Sequence, residues 1–248
     1  MSNLNQNRIH YEPSPRWVRV KFGGETIADS KKVLLAWDGG YFAEYYFPRE
    51  DVQMDLLITT ADSGNGRAAW HVKAGGQTAE NGAWSHLMPK GGLEGIKDYI
   101  AFRWHKMDRW YEEDEEVFVH VRDPYHRVDT VPSSRHIRVE VGGVTVAESK
   151  RPILLFETTL PTRYYLPAED IQMELLSPTN TQTRCPYKGI ASYWSVKVGE
   201  NVHKDIVWGY PDPIPEIPKI KDLFSFYNEK VDIYVDGELE ERPQTEWS

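Results

Sequence analysis

The chain contains one cysteine among its 248 residues, Cys185. A single cysteine cannot form a disulfide bond within the chain. The sequence also lacks an Asn-x-Ser/Thr acceptor for N-glycosylation. Both absences are typical of proteins from a reducing compartment, and they predict a cytoplasmic location.

Long hydrophobic runs and an excess of basic residues are absent too. Apolar runs are short, such as ILLF at 153–156, whereas a membrane-spanning helix needs about 20 apolar residues. The formal net charge is −9, and binding to a phosphate backbone depends on clustered Lys and Arg. We therefore expect neither a membrane nor a nucleic acid as partner. No P-loop, HEXXH or GxSxG motif is present, so the familiar catalytic classes find no support.

What the sequence does contain is an internal repeat. VRVKFGGETIADSKKVLL at 18–35 aligns with IRVEVGGVTVAESKRPIL at 137–154. YYFPREDVQMDLL at 45–57 continues in the same register against YYLPAEDIQMELL at 164–176. The repeat predicts two copies of one domain. The predicted boundaries are a polar leader at 1–15, a first copy at 16–128, a linker at 129–134 and a second copy at 135–243.

The two copies differ where the second reads TQTRCPYKGIASYW and the first reads ADSGNGRAAW. The first copy is five residues shorter at this place and lacks both the cysteine and the lysine. This difference is expected when one copy retains a site and the other becomes structural or acquires another role. Two surface loops of different length are the alternative.

The alternation of apolar and polar residues in WVRVKF and HIRVEV, each followed by Gly-Gly, predicts β-hairpins. Helical turns are predicted only at PREDVQMDLL and PAEDIQMELL. Each copy should be a compact curved sheet. The fold class is therefore mainly β.

Several segments of the second copy resemble the domain of unknown function 427 family, namely VAESKRPILLFE, RYYLPAEDI, TRCPYKGIASYWSV, VWGYPDP and FSFYNEKVDIYVDG. The first copy resembles the same family less closely. The resemblance implies a β-tent-like fold of coiled antiparallel sheets, in tandem copies. It brings a nucleotidyltransferase-like label without a mechanism. Related β-tent domains often hold zinc on paired CxxC motifs, so a structural zinc ion is not expected here; we predict no metal site, and the cofactor is unknown.

Cys185, Lys188 and Glu157 are the candidate catalytic residues. Cations near a thiol favour the nucleophilic thiolate, and Arg184 and Lys188 flank Cys185 in the sequence. A buried cysteine acting as a small apolar side chain is the alternative. Lys188 could bind a carboxylate or phosphate, or act as a base. Glu157 could be a general acid or base, or form an ordinary ion pair with Arg138 or Lys188.

Aromatic residues of the second copy are numerous enough to line a pocket. Some of them have counterparts in the first copy and could belong to the core, whereas those found only in the second copy are the better ligand candidates. The predicted ligand-binding residues are Arg138, Tyr165, Tyr187, Tyr193, Trp208 and Tyr210.

Two functions remain open at this point. The first is an enzyme of small-molecule metabolism with its pocket in the second copy. The second is a non-catalytic module that binds a small molecule or takes part in an interaction. In both cases a small-molecule ligand is the expected partner, and the oligomeric state is open.

Overall fold

The computed structural model describes residues 8–40, 42–60, 66–245 and 247–248. Between Asp123 and Pro124 the chain divides into two compact units. These are called the first and the second unit below. Both are built from antiparallel strands and short 3₁₀ helices, so the mainly β fold of two tandem domains is confirmed.

The first unit contains two sheets. A seven-stranded sheet has the order β1-β4-β5-β9-β8-β7-β6, and a four-stranded sheet has the order β11-β10-β2-β3. The strands are β1 (Ile9–Pro13), β2 (Val18–Phe22), β3 (Glu25–Ser30), β4 (Leu34–Asp38), β5 (Glu44–Phe47), β6 (Leu57–Thr59), β7 (Arg67–Ala74), β8 (Gln77–His86), β9 (Ile100–Phe102), β10 (Arg109–Glu112) and β11 (Glu115–Val117).

The second unit repeats this topology. Its seven-stranded sheet has the order β12-β15-β16-β20-β19-β18-β17, and its four-stranded sheet has the order β14-β13-β21-β22. The strands are β12 (Val128–Pro132), β13 (Ile137–Val141), β14 (Val144–Ser149), β15 (Ile153–Glu157), β16 (Arg163–Leu166), β17 (Leu176–Cys185), β18 (Gly189–Val198), β19 (Asn201–Gly209), β20 (Phe224–Phe226), β21 (Asp232–Val235) and β22 (Glu238–Leu239).

The helical segments are single 3₁₀ turns. Each unit contains one of the two predicted helical segments, after β5 in the first unit and after β16 in the second. The 3₁₀ helices are Arg49–Asp51, Met54–Leu56, Glu94–Ile96, Trp104–Lys106, Ala168–Asp170, Met173–Leu175 and Pro218–Ile220. No helix in the described ranges is long and apolar enough to cross a membrane.

The structure differs from the predicted boundaries at the leader and at the linker. Ile9–Pro13 forms β1 and pairs with β4, and Val128–Pro132 forms β12 and pairs with β15. Both are edge strands of a seven-stranded sheet. An edge strand tolerates proline and polar residues because one of its sides makes no ladder hydrogen bonds, so composition did not reveal them. The rest of the leader, residues 1–7, lies outside the described part of the chain.

Each unit has two apolar cores, one on either face of its seven-stranded sheet. Side chains alternate along a strand, so Leu154 of β15 packs into the core between the two sheets while Leu155 packs into the core on the opposite face. A segment containing Ile217 and Ile220 covers this opposite face in the second unit. We call this opposite face of the seven-stranded sheet the covered face. In the second unit it carries the candidate site.

Candidate functional site

Glu157 ends β15 on the covered face, and its carboxylate lies between two basic side chains. His126 Nε2 is 3.0 Å from Glu157 Oε1, and Lys188 Nζ donates a hydrogen bond to Oε2. The Glu157 side chain is 5% exposed, His126 13% and Lys188 12%. These three residues form what we call the Glu157 cluster. They bring two predicted residues together with one that the sequence analysis did not identify.

The CPYKG segment places Lys188 in the cluster by forming a tight turn. Cys185 at the end of β17 pairs with Gly189 at the start of β18, and the Lys188 N–H donates to the Cys185 carbonyl at 3.3 Å. Gly189 has a φ of 105°, and a side chain there would lie 3.1 Å from the Asp212 carbonyl oxygen. Glycine is therefore required at this position. The tight turn between β17 and β18 thus fixes the position of Lys188.

Opposing effects set the charge of Glu157. Burial favours the neutral acid, but the hydrogen bond from His126 and the charge and hydrogen bond of Lys188 outweigh burial and lower the pKa of Glu157. The carboxylate is therefore ionised at neutral pH. The ionised carboxylate binds His126 and Lys188 and so orients both side chains, as the carboxylate of a catalytic triad orients its histidine.

Cys185 lies beside this cluster but is not an activated nucleophile in this structure. Burial raises the pKa of the thiol, as does the charge of Glu157, and Lys188 together with the backbone N–H groups of Tyr187 and Lys188 opposes this only in part. The group is thus a thiol at neutral pH. The structure favours the interpretation of Cys185 as a partly buried wall residue.

Aromatic side chains pack on the same face as the cluster. The Trp208 Nε1–H donates to the Tyr165 hydroxyl at 3.1 Å, and the Tyr187 ring stacks on His126 with 4.1 Å between centroids. Tyr193 and Tyr210 are buried in the core of the covered face together with Tyr165 and Trp208. Four of the five predicted aromatic ligand residues are thus core residues of this face, and Tyr187 is the half-buried one among them.

Arg138 is the predicted residue that does not join them. It lies on β13 in the four-stranded sheet, forms an ion pair with Glu140 and packs over the Tyr234 ring at 3.9 Å. Of the two ion pairs considered for Glu157, the structure forms the one with Lys188. The sequence analysis grouped Arg138 with the site because alternation along a strand does not show to which of the two sheets the strand belongs.

His126 is the residue that sequence reasoning missed. It precedes β12 by two positions, and β12 pairs with β15 so that Val128 lies opposite Glu157. Recognising the supposed linker as an edge strand would have placed His126 near Glu157. Among the described residues, no group of three or more His, Cys, Asp or Glu could hold a metal ion.

The first unit has a similar arrangement built from different positions. Asp38 ends β4 as Glu157 ends β15, and Asp38 Oδ2 is 2.5 Å from an Arg67 guanidinium nitrogen and 3.8 Å from His86 Nε2. Arg67 begins β7, next to residues 61–65, which lie outside the described ranges. The first unit therefore keeps a carboxylate with two basic partners, although its loop is five residues shorter.

An open groove of about 380 Å³ lies on the other side of β15. Its lining includes Val131, Phe156 and Tyr164. Phe156 and Glu157 are adjacent in one strand and point to opposite faces. The groove is therefore separate from the Glu157 cluster.

The sequence profile of the domain of unknown function (DUF427) matches residues 10–113 and 129–237. The two matches span most of the chain and correspond to the two units. The chain therefore belongs to this family, with two tandem copies of its domain. No curated protein matches the chain.

Proposed function

We propose that the second unit contains the active site of an enzyme of small-molecule metabolism. The observation that carries the proposal is the Glu157 carboxylate, 5% exposed and shared between His126 and Lys188, with the Tyr187 ring stacked on His126. Burying three ionisable groups is costly unless they are well paired, and such clusters are enriched at functional sites.

The geometry supports proton transfer by His126. When Nε2–H donates to Glu157, the other ring nitrogen, Nδ1, keeps a lone pair and can accept a proton from a substrate. Lys188 keeps Glu157 ionised, and the carboxylate in turn stabilises the imidazolium that would form. His126 is then the general base, while Glu157 and Lys188 position it.

This proposal differs from a covalent mechanism at Cys185. The raised thiol pKa works against a thiolate at neutral pH. No hydrogen bond joins the Cys185 sulfur to His126 within the described residues. We therefore assign Cys185 a place in the wall of the site and no proton-transfer role.

A binding module without catalysis is the second candidate. One observation favours it: both carboxylate oxygens of Glu157 are occupied by side chains of the same unit. A site whose polar groups satisfy one another suits recognition of a ligand by the half-buried Tyr187 ring beside it. In this case Lys188 and His126 would stabilise the turn and leave the ligand to Tyr187 and its neighbours.

Mass spectrometry of a small-molecule cell extract incubated with the protein separates the two candidates. The wild type should consume at least one compound and form a product, and Glu157→Gln should slow this at least 100-fold because a neutral amide no longer stabilises the imidazolium of His126. Circular dichroism would verify that the variant is folded. A compound that is bound at equilibrium but never converted would support the binding module and overturn the enzyme.

A further inference from the structure

The open groove beside β15 combines an apolar floor with a carboxylate. Val131 lies opposite Leu154, and Leu154 lies opposite Tyr164, so these three side chains form a row across β12, β15 and β16. Phe156, two residues further along β15, lies on the same face and is 45% exposed. Glu240, which follows β22, also lines this space of about 380 Å³. We call it the Glu240 groove.

Only half of the Glu240 carboxylate is used within the second unit. The Tyr164 hydroxyl donates to Oε1 at 2.6 Å. Among the residues that the structure describes, none forms an ion pair with Glu240 or a hydrogen bond with its Oε2. Arg135 also lines the groove, but its Nε lies 3.7 Å from Asp236 Oδ2, so its charge is balanced there. The negative charge of Glu240 is therefore left without a partner.

The first unit fills the corresponding place with its own side chains. Tyr45 occupies the position of Tyr164 in the repeat, and its hydroxyl donates to Glu112 Oε1 at 2.9 Å. Arg16, which occupies the position of Arg135, donates to Oε2 of the same carboxylate. In the first unit a guanidinium thus completes the carboxylate that the tyrosine hydroxyl binds.

An aromatic residue of β4 is covered in the first unit as well. Trp37 occupies the position of Phe156 and is 1% exposed. Arg8 packs over its ring at 4.4 Å, His10 stacks on it with 5.9 Å between centroids, and Asp123 accepts its Nε1–H at 3.0 Å. Within the described residues of the second unit, the groove has neither a cation on its carboxylate nor a comparable cover over its aromatic ring.

These differences indicate the chemical class of a ligand. A guanidinium or amidinium group presents N–H donors in a planar fork that matches a carboxylate, and it keeps its charge at neutral pH. An apolar body attached to that group would remove the exposed ring of Phe156 and the side chain of Val131 from water. The first unit supplies the same two parts from its own chain.

We propose that the Glu240 groove binds an organic cation with a guanidinium or amidinium head group on an apolar body. The head group binds Glu240 as Arg16 binds Glu112, and the body lies on Phe156. The groove is on the opposite face of β15 from the Glu157 cluster, so the proposal does not depend on the function proposed for that cluster.

The probe is phenylguanidinium, and phenylurea is its neutral control of similar shape. Titration of each compound into the full-length protein, followed by the NMR signals of the compound, gives its dissociation constant. Phenylguanidinium should bind at least tenfold more tightly than phenylurea, because only the cation pairs with Glu240. Added salt should weaken the binding of phenylguanidinium more than that of phenylurea. Equal affinities, or no binding of phenylguanidinium, would overturn the proposal.

Four variants locate the site, each verified as folded by circular dichroism. Glu240→Gln should weaken phenylguanidinium binding at least tenfold and change phenylurea binding less than twofold. Glu238→Gln removes the same charge from an exposed position two residues earlier and should bind like the wild type. Arg135→Gln removes a cation from the groove and should bind phenylguanidinium at least as tightly as the wild type. Phe156→Ala should weaken both compounds by a similar factor, because both lose the contact with the ring.

The assignment to the Glu240 groove depends on the pattern across these variants. Phenylguanidinium binding that survives Glu240→Gln, or that Glu238→Gln weakens equally, contradicts it. A tenfold loss of phenylguanidinium binding in Arg135→Gln contradicts it too, because a cation that repels the ligand cannot be required for binding.

Discussion

Single residues of the second unit differ in what the structure allows them to do, and Cys185 is the clearest case. Its neighbours in the sequence suggest activation, but in the fold burial outweighs the charge of Lys188. Sequence proximity of a cation therefore does not predict a thiolate, because it contains no information on how much water the sulfur loses.

The thiol of Cys185 should accordingly react slowly with iodoacetamide at pH 7.5, at least tenfold more slowly than a free cysteine thiol. Its reactivity should rise with pH only above the ordinary thiol pKa of about 8.5. Lys188→Ala should raise the midpoint further, because Lys188 lowers the pKa of Cys185. Alkylation followed by mass spectrometry measures both. A midpoint well below 8.5 would return Cys185 to the role of nucleophile.

Glu44 makes the stability of the first unit depend on pH. Its pKa in the folded protein is raised from 4.5 to about 7, so the folded state binds a proton that the unfolded state has released. The stabilisation from this group is complete below pH 4.5 and is lost as the pH rises through 7. The expected loss is about 1.4 kcal/mol per pH unit between pH 4.5 and 7, and it levels off above 7.

Glu44→Gln should remove this dependence. Between pH 6 and pH 8 the melting temperature of the first unit should fall in the wild type and stay nearly constant in the variant, at fixed ionic strength. Thermal unfolding followed by circular dichroism measures the difference. Parallel curves for the two proteins would show that Glu44 titrates with an ordinary pKa.

At the scale of elements, the turn between β7 and β8 and its counterpart between β18 and β19 have different surroundings. Gly75, in the turn between β7 and β8, has a φ of 54°, and a side chain there would lie 1.9 Å from the Gly23 carbonyl oxygen. Gly199 occupies the corresponding turn of the second unit with a φ of 59° and has nothing within 4 Å of that position. The backbone strain of a substitution is therefore equal, and only the contact differs.

Gly75→Ala should lower the free energy of unfolding by about 3 kcal/mol or more, because strain and overlap with the Gly23 backbone add together. Gly199→Ala should cost only about 1 kcal/mol, since it meets strain alone. Urea unfolding of the two variants gives the comparison. Equal losses would contradict the close approach of the two turns in the first unit.

Elements were predictable from sequence where their side chains alternate. WVRVKF and HIRVEV contain β2 and β13, and the Gly-Gly pairs that follow them form the predicted turns. The edge strands β1 and β12 were not predictable in this way, because Pro13 and Pro132 suggested loops. The ion pair of Glu157 with Lys188 was one of two alternatives from sequence. The contact of His126 with Glu157 was not predicted, because it depends on the pairing of β12 with β15.

On the scale of the whole molecule, duplication has preserved a carboxylate at the end of the fourth strand of each unit and changed its partners. Asp38 meets Arg67 and His86 from β7 and β8, whereas Glu157 meets Lys188 from a turn and His126 from before β12. No sequence alignment of the repeats shows this, because the partners occupy unrelated positions. The repeat predicts the shared fold, and the side-chain geometry separates the two candidate sites.

The central claim is that His126 acts as the general base of an active site in the second unit. The most direct measurement compares the compounds consumed from a cell extract by His126→Gln and His136→Gln, with mass spectrometry as readout. His136 also bonds to a glutamate, Glu148 at 2.7 Å, but lies on the exposed side of the four-stranded sheet. We predict that His126→Gln abolishes a conversion that the wild type and His136→Gln both perform. A conversion that His126→Gln performs at the wild-type rate would contradict the account.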